Sequence, residues 1–164
     1  MIRATRVLPA HSWDAESATG SVTLPMAERH RRRIRLETDQ GGAVLLDLPV
    51  AVMLNHGDGL ALEDGGTLRV IAAAEDVADI GCADAVHLAR VAWHLGNRHL
   101  PLQVVDNRTL RIGWDHVIAE MVEGLGASVS RKTRPFQPEG GAYSGGGHDH
   151  GHSHSHDDDG HAHA

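Results

Sequence analysis

Apolar positions alternate with polar ones at a spacing of two through the first part of the chain, and the spacing turns helical twice in the second part. From about Arg3 to Val70 the apolar residues come in short runs: Val22-Thr23-Leu24, Arg33-Ile34-Arg35-Leu36 and Ala43-Val44-Leu45-Leu46-Asp47-Leu48. Runs of this kind predict half-buried strands. Between them lie Asp39-Gln40-Gly41-Gly42, Asn55-His56-Gly57-Asp58-Gly59 and Glu63-Asp64-Gly65-Gly66. Such clusters make turns whose backbone needs positive φ, which glycine adopts without steric cost. The first segment therefore predicts a small all-β domain.

Past Val70 the pattern changes. Glu75 to Ile80 predicts one more strand, and Asp84 can cap a helix with Ala85, Leu88, Ala89 and Ala92 at helical spacing, ended by Gly96 as its C′ residue. Leu100 to Val105 and Thr109 to Ile112 flank the turn Asp106-Asn107-Arg108 and predict a hairpin. Asp115 caps a second helix carrying Val117, Ile118, Met121, Val122 and Leu125, closed by Gly124 and Gly126, and a last strand runs from Ala127 to Lys132. The order β-α-β-β-α-β is that of a ferredoxin-like domain. The predicted class is α+β: an all-β domain over residues 1–73, a ferredoxin-like domain over 74–134, and a tail over 135–164. Beyond Pro135 the chain is rich in Gly, then alternates His with Gly, Ser and Asp. It has too little apolar surface to offset its ordering entropy, so the tail is expected to be mobile without metal.

Composition sharpens this picture at one point. Of 14 histidines in 164 residues, those at 148, 150, 152, 154, 156, 161 and 163 crowd the C-terminus. A formal charge of -7 offers no basic field to replace counterions on a nucleic acid, so nucleic-acid binding is not expected. The single cysteine, Cys82, excludes an intramolecular disulfide framework and a CxxC metal or redox site. The N-terminus lacks a signal-peptide pattern, and no run approaches about 18 apolar residues, so a soluble, cytoplasmic, unanchored protein is expected. Enzyme signatures are missing as well. The one lysine, Lys132, is not in a GxxxxGK[ST] phosphate loop, and neither HExxH nor GxSxG occurs.

The histidines carry the candidate chemistry. In an extended chain His148, His150, His152, His154 and His156 point the same way, so neighbouring pairs can chelate a divalent cation, with His161 and His163 as further donors. Asp149 and Asp157 to Asp159 add oxygen ligands and counter-charge. His99 lies in His94-Leu95-Gly96-Asn97-Arg98-His99-Leu100-Pro101, a tight connection at a helix end. From spacing alone a lone loop histidine is more often solvent-facing than a ligand. His116, first in its helix with Glu120 one turn on, reads equally as an exposed polar pair or as a neutral ligand. His87 and His94 fit partial burial at a helix-sheet or subunit contact; His11, His30 and His56 have no evident partners. Arg29, Arg31, Arg32, Arg33 and Arg35 form a basic cluster; on a strand Arg31, Arg33 and Arg35 share one face, which reads first as solvated and second as a dock for an acidic protein surface. Trp13, Trp93 and Trp114 are too scattered to stack bases and fit core or contact positions.

Several segments together resemble the nickel metallochaperone family of urease accessory proteins, UreE. They are HLGNRHLPLQ (His94 to Gln103), WDHVIAEM (Trp114 to Met121), LGASV and PFQPEGGAY (Pro135 to Tyr143), with looser likeness in RRRIRL, LLDLPVAVMLNHGD and LALEDGG. The resemblance implies a non-enzymatic homodimer whose β domain contacts partners. It implies that His99, the histidine of the GNRH segment, shares one nickel(II) ion with its copy across the two-fold, and that His116 is an auxiliary ligand. Where some members have a further histidine two positions before that one, this chain has Trp114. Tail capture, exchange to the His99 pair, and hand-over to the urease maturation GTPase (UreG) bound to the urease apoprotein complex would follow. Zinc or copper can occupy imidazole sites too, and such sites lose metal to protons as pH falls through about 6.5. A nickel or zinc store without transfer, or a metal-dependent hydrolase using His99, His116 and Glu120, are the alternatives.

Overall fold

The computed structural model describes residues 1–140. Strands β1 (Arg3–Leu8), β2 (Gly20–Leu24), β3 (His30–Glu37), β4 (Ala43–Met53), β5 (Gly59–Leu62) and β6 (Thr67–Ala72) come first, with short 3-10 turns at Ala15–Ser17 and Met26–Glu28. They form one sheet in the order β2-β6-β5-β1-β4-β3. Alternation decides its buried face: Val44, Leu46 and Leu48 of β4 and Leu68, Val70 and Ala72 of β6 point inward, joined by Val22, Leu36 and Leu60. Full burial of such a side chain contributes about 1.5–3 kcal/mol, which makes these positions the main support of the sheet. The turn glycines behave as their positions demand, with φ of +86° at Gly41, +88° at Gly57 and +91° at Gly65.

Pro49 sits inside β4, where a ladder donor is missing. The β3–β4 register slips between Arg31↔Val52 and Arg33↔Asp47, which puts the proline in an irregularity instead of in regular pairing.

The second group is β7 (Ala74–Gly81), α1 (Ala85–Gly96), β8 (Gln103–Val104), β9 (Thr109–Gly113), α2 (His116–Gly124) and β10 (Ser128–Pro135). Its sheet runs β10-β7-β9-β8, every pair antiparallel. Val91 and Leu95 of α1 and Val122 of α2 close over Ala78, Ile80, Leu110 and Ile112, forming a core separate from that of the first sheet. Both helices start as expected. The Asp84 carboxylate accepts from the His87 amide, and that of Asp115 from the amides of Val117 and Ile118.

Two expectations change. Gly96 does not end α1 in a left-handed conformation; it is the last helical residue, followed by Asn97 in the right-handed region, and the left-handed residue is His99 at φ +56°. The helix winds down through tight turns, with the amides of Arg98 and His99 donating to Leu95 and Gly96 carbonyls, and these move the reversal to His99. The chain also stays packed beyond Pro135: Phe136 is 5% exposed, and the buried Arg29 donates to its carbonyl.

Candidate functional site

The His99 turn is over-determined by its neighbours. Its amide donates to Gly96, the Arg98 guanidinium donates to the His94 carbonyl, and Pro101 follows two residues later. His99 is the one non-glycine residue at positive φ among the described residues. Histidine tolerates that region better than most side chains, yet holding it costs on the order of 1–3 kcal/mol. Its imidazole is left exposed at the edge of an open groove of about 1120 Å³, whose other walls include His30, Met53, His56, Pro101 and Gln137.

Sheet register places His116 at the same end of the second unit. β8 begins at Gln103 opposite Arg111, and β9 runs past that point to end at Gly113. His99 precedes the start of β8 and His116 follows the end of β9, so both lie beyond one edge of the sheet. His116 and Glu120 are exposed, with Asp115 fixing the helix start beneath His116. Among the described residues no three of His, Cys, Asp or Glu converge as a metal cage. The candidate ligands His148, His150, His152, His154, His156, His161 and His163 lie outside the described residues.

Three other histidines are engaged elsewhere. His87 accepts from the Ala83 amide at Nδ1 (3.0 Å), and its Nε2 lies 2.9 Å from the Leu125 carbonyl, so it ties the start of α1 to the end of α2 instead of facing the sheet. His56 Nδ1 accepts from the Ala72 amide (3.1 Å), which leaves Nε2 to carry the proton in the neutral ring. His94 meets Trp93 edge to face at 5.0 Å. Trp93 itself is exposed, unlike Trp13, which donates to the Gly57 carbonyl, and Trp114, which stacks under Arg131. Burial, and next the Asp84 charge, push the Cys82 thiol upward, making it a poor thiolate ligand.

One member of the basic cluster stands apart from the others. Arg29 is not solvated; it is wholly buried, and its guanidinium donates to the carbonyls of Leu54 and Phe136 and to Gln137 Oε1. Desolvation lowers its pKa, with the Glu75 charge opposing. Gln137 extends the network. Its Oε1 also accepts from the His56 amide, its Nε2 donates to Asn55 Oδ1 and its amide donates to Gln103 Oε1. Sequence reasoning missed Arg29 and Gln137 as structural partners. The one local hint was Phe136 and Gln137 standing in an otherwise Gly- and Pro-rich run.

On the outer face of the second sheet Asp79 accepts two hydrogen bonds from Arg111 and one from Lys132. The Arg111 bond first, and Lys132 after it, hold its carboxyl below the usual range against the opposing effect of burial. No helix among the described residues is long and apolar enough to cross a membrane.

Residues 4–73 match the model of the UreE urease accessory protein N-terminal domain, and residues 75–164 that of its C-terminal domain. A urease accessory protein UreE of Bradyrhizobium sp. strain BTAi1 is 53% identical over 90% of this chain and 71% of its own length. One from Beijerinckia indica is 49% identical over 91% and 85%, and one from Chelativorans sp. strain BNC1 is 48% identical over 91% and 91%. The chain belongs to the UreE family of urease accessory proteins.

Proposed function

We propose that this protein is a cytoplasmic nickel metallochaperone that collects Ni(II) and delivers it for assembly of the urease metallocentre. The observation that carries the reading is His99, an exposed imidazole held in a costly left-handed conformation at the edge of a groove. Strain of this kind persists where surrounding structure is arranged to present a side chain. Because no three of His, Cys, Asp or Glu converge as a cage among the described residues, a second copy across a two-fold axis supplies the matching donor to His99, and the working unit is a homodimer. Residues 74–134 act as a ferredoxin-like metal-binding domain, supported by the strand order β10-β7-β9-β8. Residues 1–73 act as the partner-docking domain.

His116 serves as an auxiliary ligand at the same sheet end. The tail histidines, from His148 to His163, gather metal and pass it to the His99 pair. From there it moves to the GTPase UreG and the urease apoprotein complex. Imidazole with carboxylate and water suits nickel and leaves coordination positions open, so ligands exchange one at a time without release of a bare ion. Zinc and copper compete for the same donors.

Nickel titration calorimetry on three forms tests this: the full chain, a truncation after Tyr143, and that truncation with His99→Ala. Truncation should remove several weaker sites, and His99→Ala should then abolish one remaining site per two chains. A truncated chain that binds no nickel, or binds it equally without His99, leaves a tail-only metal store as the better account.

A further inference from the structure

We infer that Gln137 is a positioning residue for His99, acting through a strap that spans the two sheets. The inference rests on the nickel reading above and adds a component to it. The strap is the segment from Phe136 to Glu139. On one side it is held by the first unit: Arg29 donates to the Phe136 carbonyl and to Gln137 Oε1, the His56 amide donates to the same Oε1 (3.1 Å), and Gln137 Nε2 donates to Asn55 Oδ1 (2.8 Å). On the other side it grips the segment that follows His99. The Gln137 amide donates to Gln103 Oε1 (2.9 Å), the Glu139 amide to the Leu102 carbonyl (2.7 Å), and the Val104 amide to Glu139 Oε1 (3.2 Å).

These bonds matter because β8, Gln103–Val104, is a two-residue edge strand held otherwise only by β9. A strand that short frays readily on its own. His99 lies between two anchors: the end of α1 on one side, and Leu102 to Val104 clamped by the strap on the other. With the second anchor released, the turn can relax toward the backbone region that non-glycine residues prefer, and His99 turns away from the groove. Gln137 is the junction, since its side chain meets the first unit while its backbone meets Gln103. Arg29 is a wholly buried cation, and a bidentate donor reaching two successive strap residues is stiffer than a single contact.

The test compares full-length protein, Gln137→Ala and Gln137→Glu by NMR. Glutamate retains the oxygen that Arg29 and the His56 amide require, so it is the rescuing variant; alanine removes the junction. Amide exchange at Val104, the backbone coupling constant of His99, and the paramagnetic broadening of the His99 ring by added Ni(II) are read together. Gln137→Ala should expose Val104, average the His99 coupling away from its left-handed value, and require about tenfold more nickel to broaden His99. That figure corresponds to the binding-competent conformer falling to roughly a tenth of the population. Gln137→Glu should restore all three.

Faster exchange at Val104 with an unchanged His99 coupling and an unchanged nickel response would reduce the strap to a purely structural tie and overturn the inference. If nickel leaves His99 of the unmutated chain untouched, the metallochaperone reading fails by itself. The coupling constant then decides the strap alone: it must shift in Gln137→Ala and return in Gln137→Glu, and a constant value refutes the positioning role.

Discussion

Replacing Asp79 by Asn should cost the second sheet about 3–5 kcal/mol at pH 7, the range for breaking one side of a buried ion pair. Asp79 and Arg111 are direct cross-strand partners in β7 and β9, with side chains only 9% and 12% exposed. Their two hydrogen bonds measure 2.6 and 3.1 Å, and Lys132, 44% exposed, adds a third. Asparagine fits the space but leaves the Arg111 guanidinium desolvated beside a neutral amide, whereas Lys132 can turn to water. Removing both charges with Asp79→Leu and Arg111→Met should recover most of the loss, because no uncompensated charge then remains. Native-state amide exchange at Ile80 and Ile112 reads this sheet without mixing in the first one.

The sign of the pH dependence follows from the depressed Asp79 carboxyl. The unfolded chain takes up the proton first, so the contribution is complete above the unfolded value of about 3.9 and is lost as pH falls through the lower folded value. The gap between the native protein and Asp79→Asn should narrow below about pH 4. A gap under about 1 kcal/mol at pH 7, or one that does not narrow in acid, would refute this account of the pair. The effect reaches the strap as well, since Arg111 also donates to the Pro135 carbonyl at 3.0 Å.

His99→Gly should melt close to the native protein, while His99→Val, a β-branched residue forced to φ +56°, should lose about 1–2 kcal/mol; equal melting of the two would contradict the left-handed assignment. Asp115→Ala should cost about 1 kcal/mol and speed amide exchange at Val117 and Ile118, which lose their shared acceptor, and unchanged exchange there would rule out the cap as the support of His116.

Local chemistry alone was enough to read much of the molecule. Strand alternation around Val44 to Leu48, the turn glycines Gly41, Gly57 and Gly65, and the capping carboxylates Asp84 and Asp115 all act over a few residues, so pattern reveals them. The same holds for the order of strands and helices from Ala74 to Pro135, whereas His99 and His116 are singled out as ligands by family resemblance and not by their local pattern. Other features depend on partners far apart in sequence. Arg29 looks like one more solvated arginine in a basic run until Phe136 and Gln137 fold back over it. The run after Pro135 looks solvated by composition, yet Phe136 is buried in the folded chain. The left-handed residue after α1 is His99 and not Gly96, because winding of the helix end and anchoring at Leu102 to Val104 act on that turn from both sides. Periodicity carries no information about such contacts: burial of a charge and strain in a turn are sustained by groups that meet only once both sheets are in place.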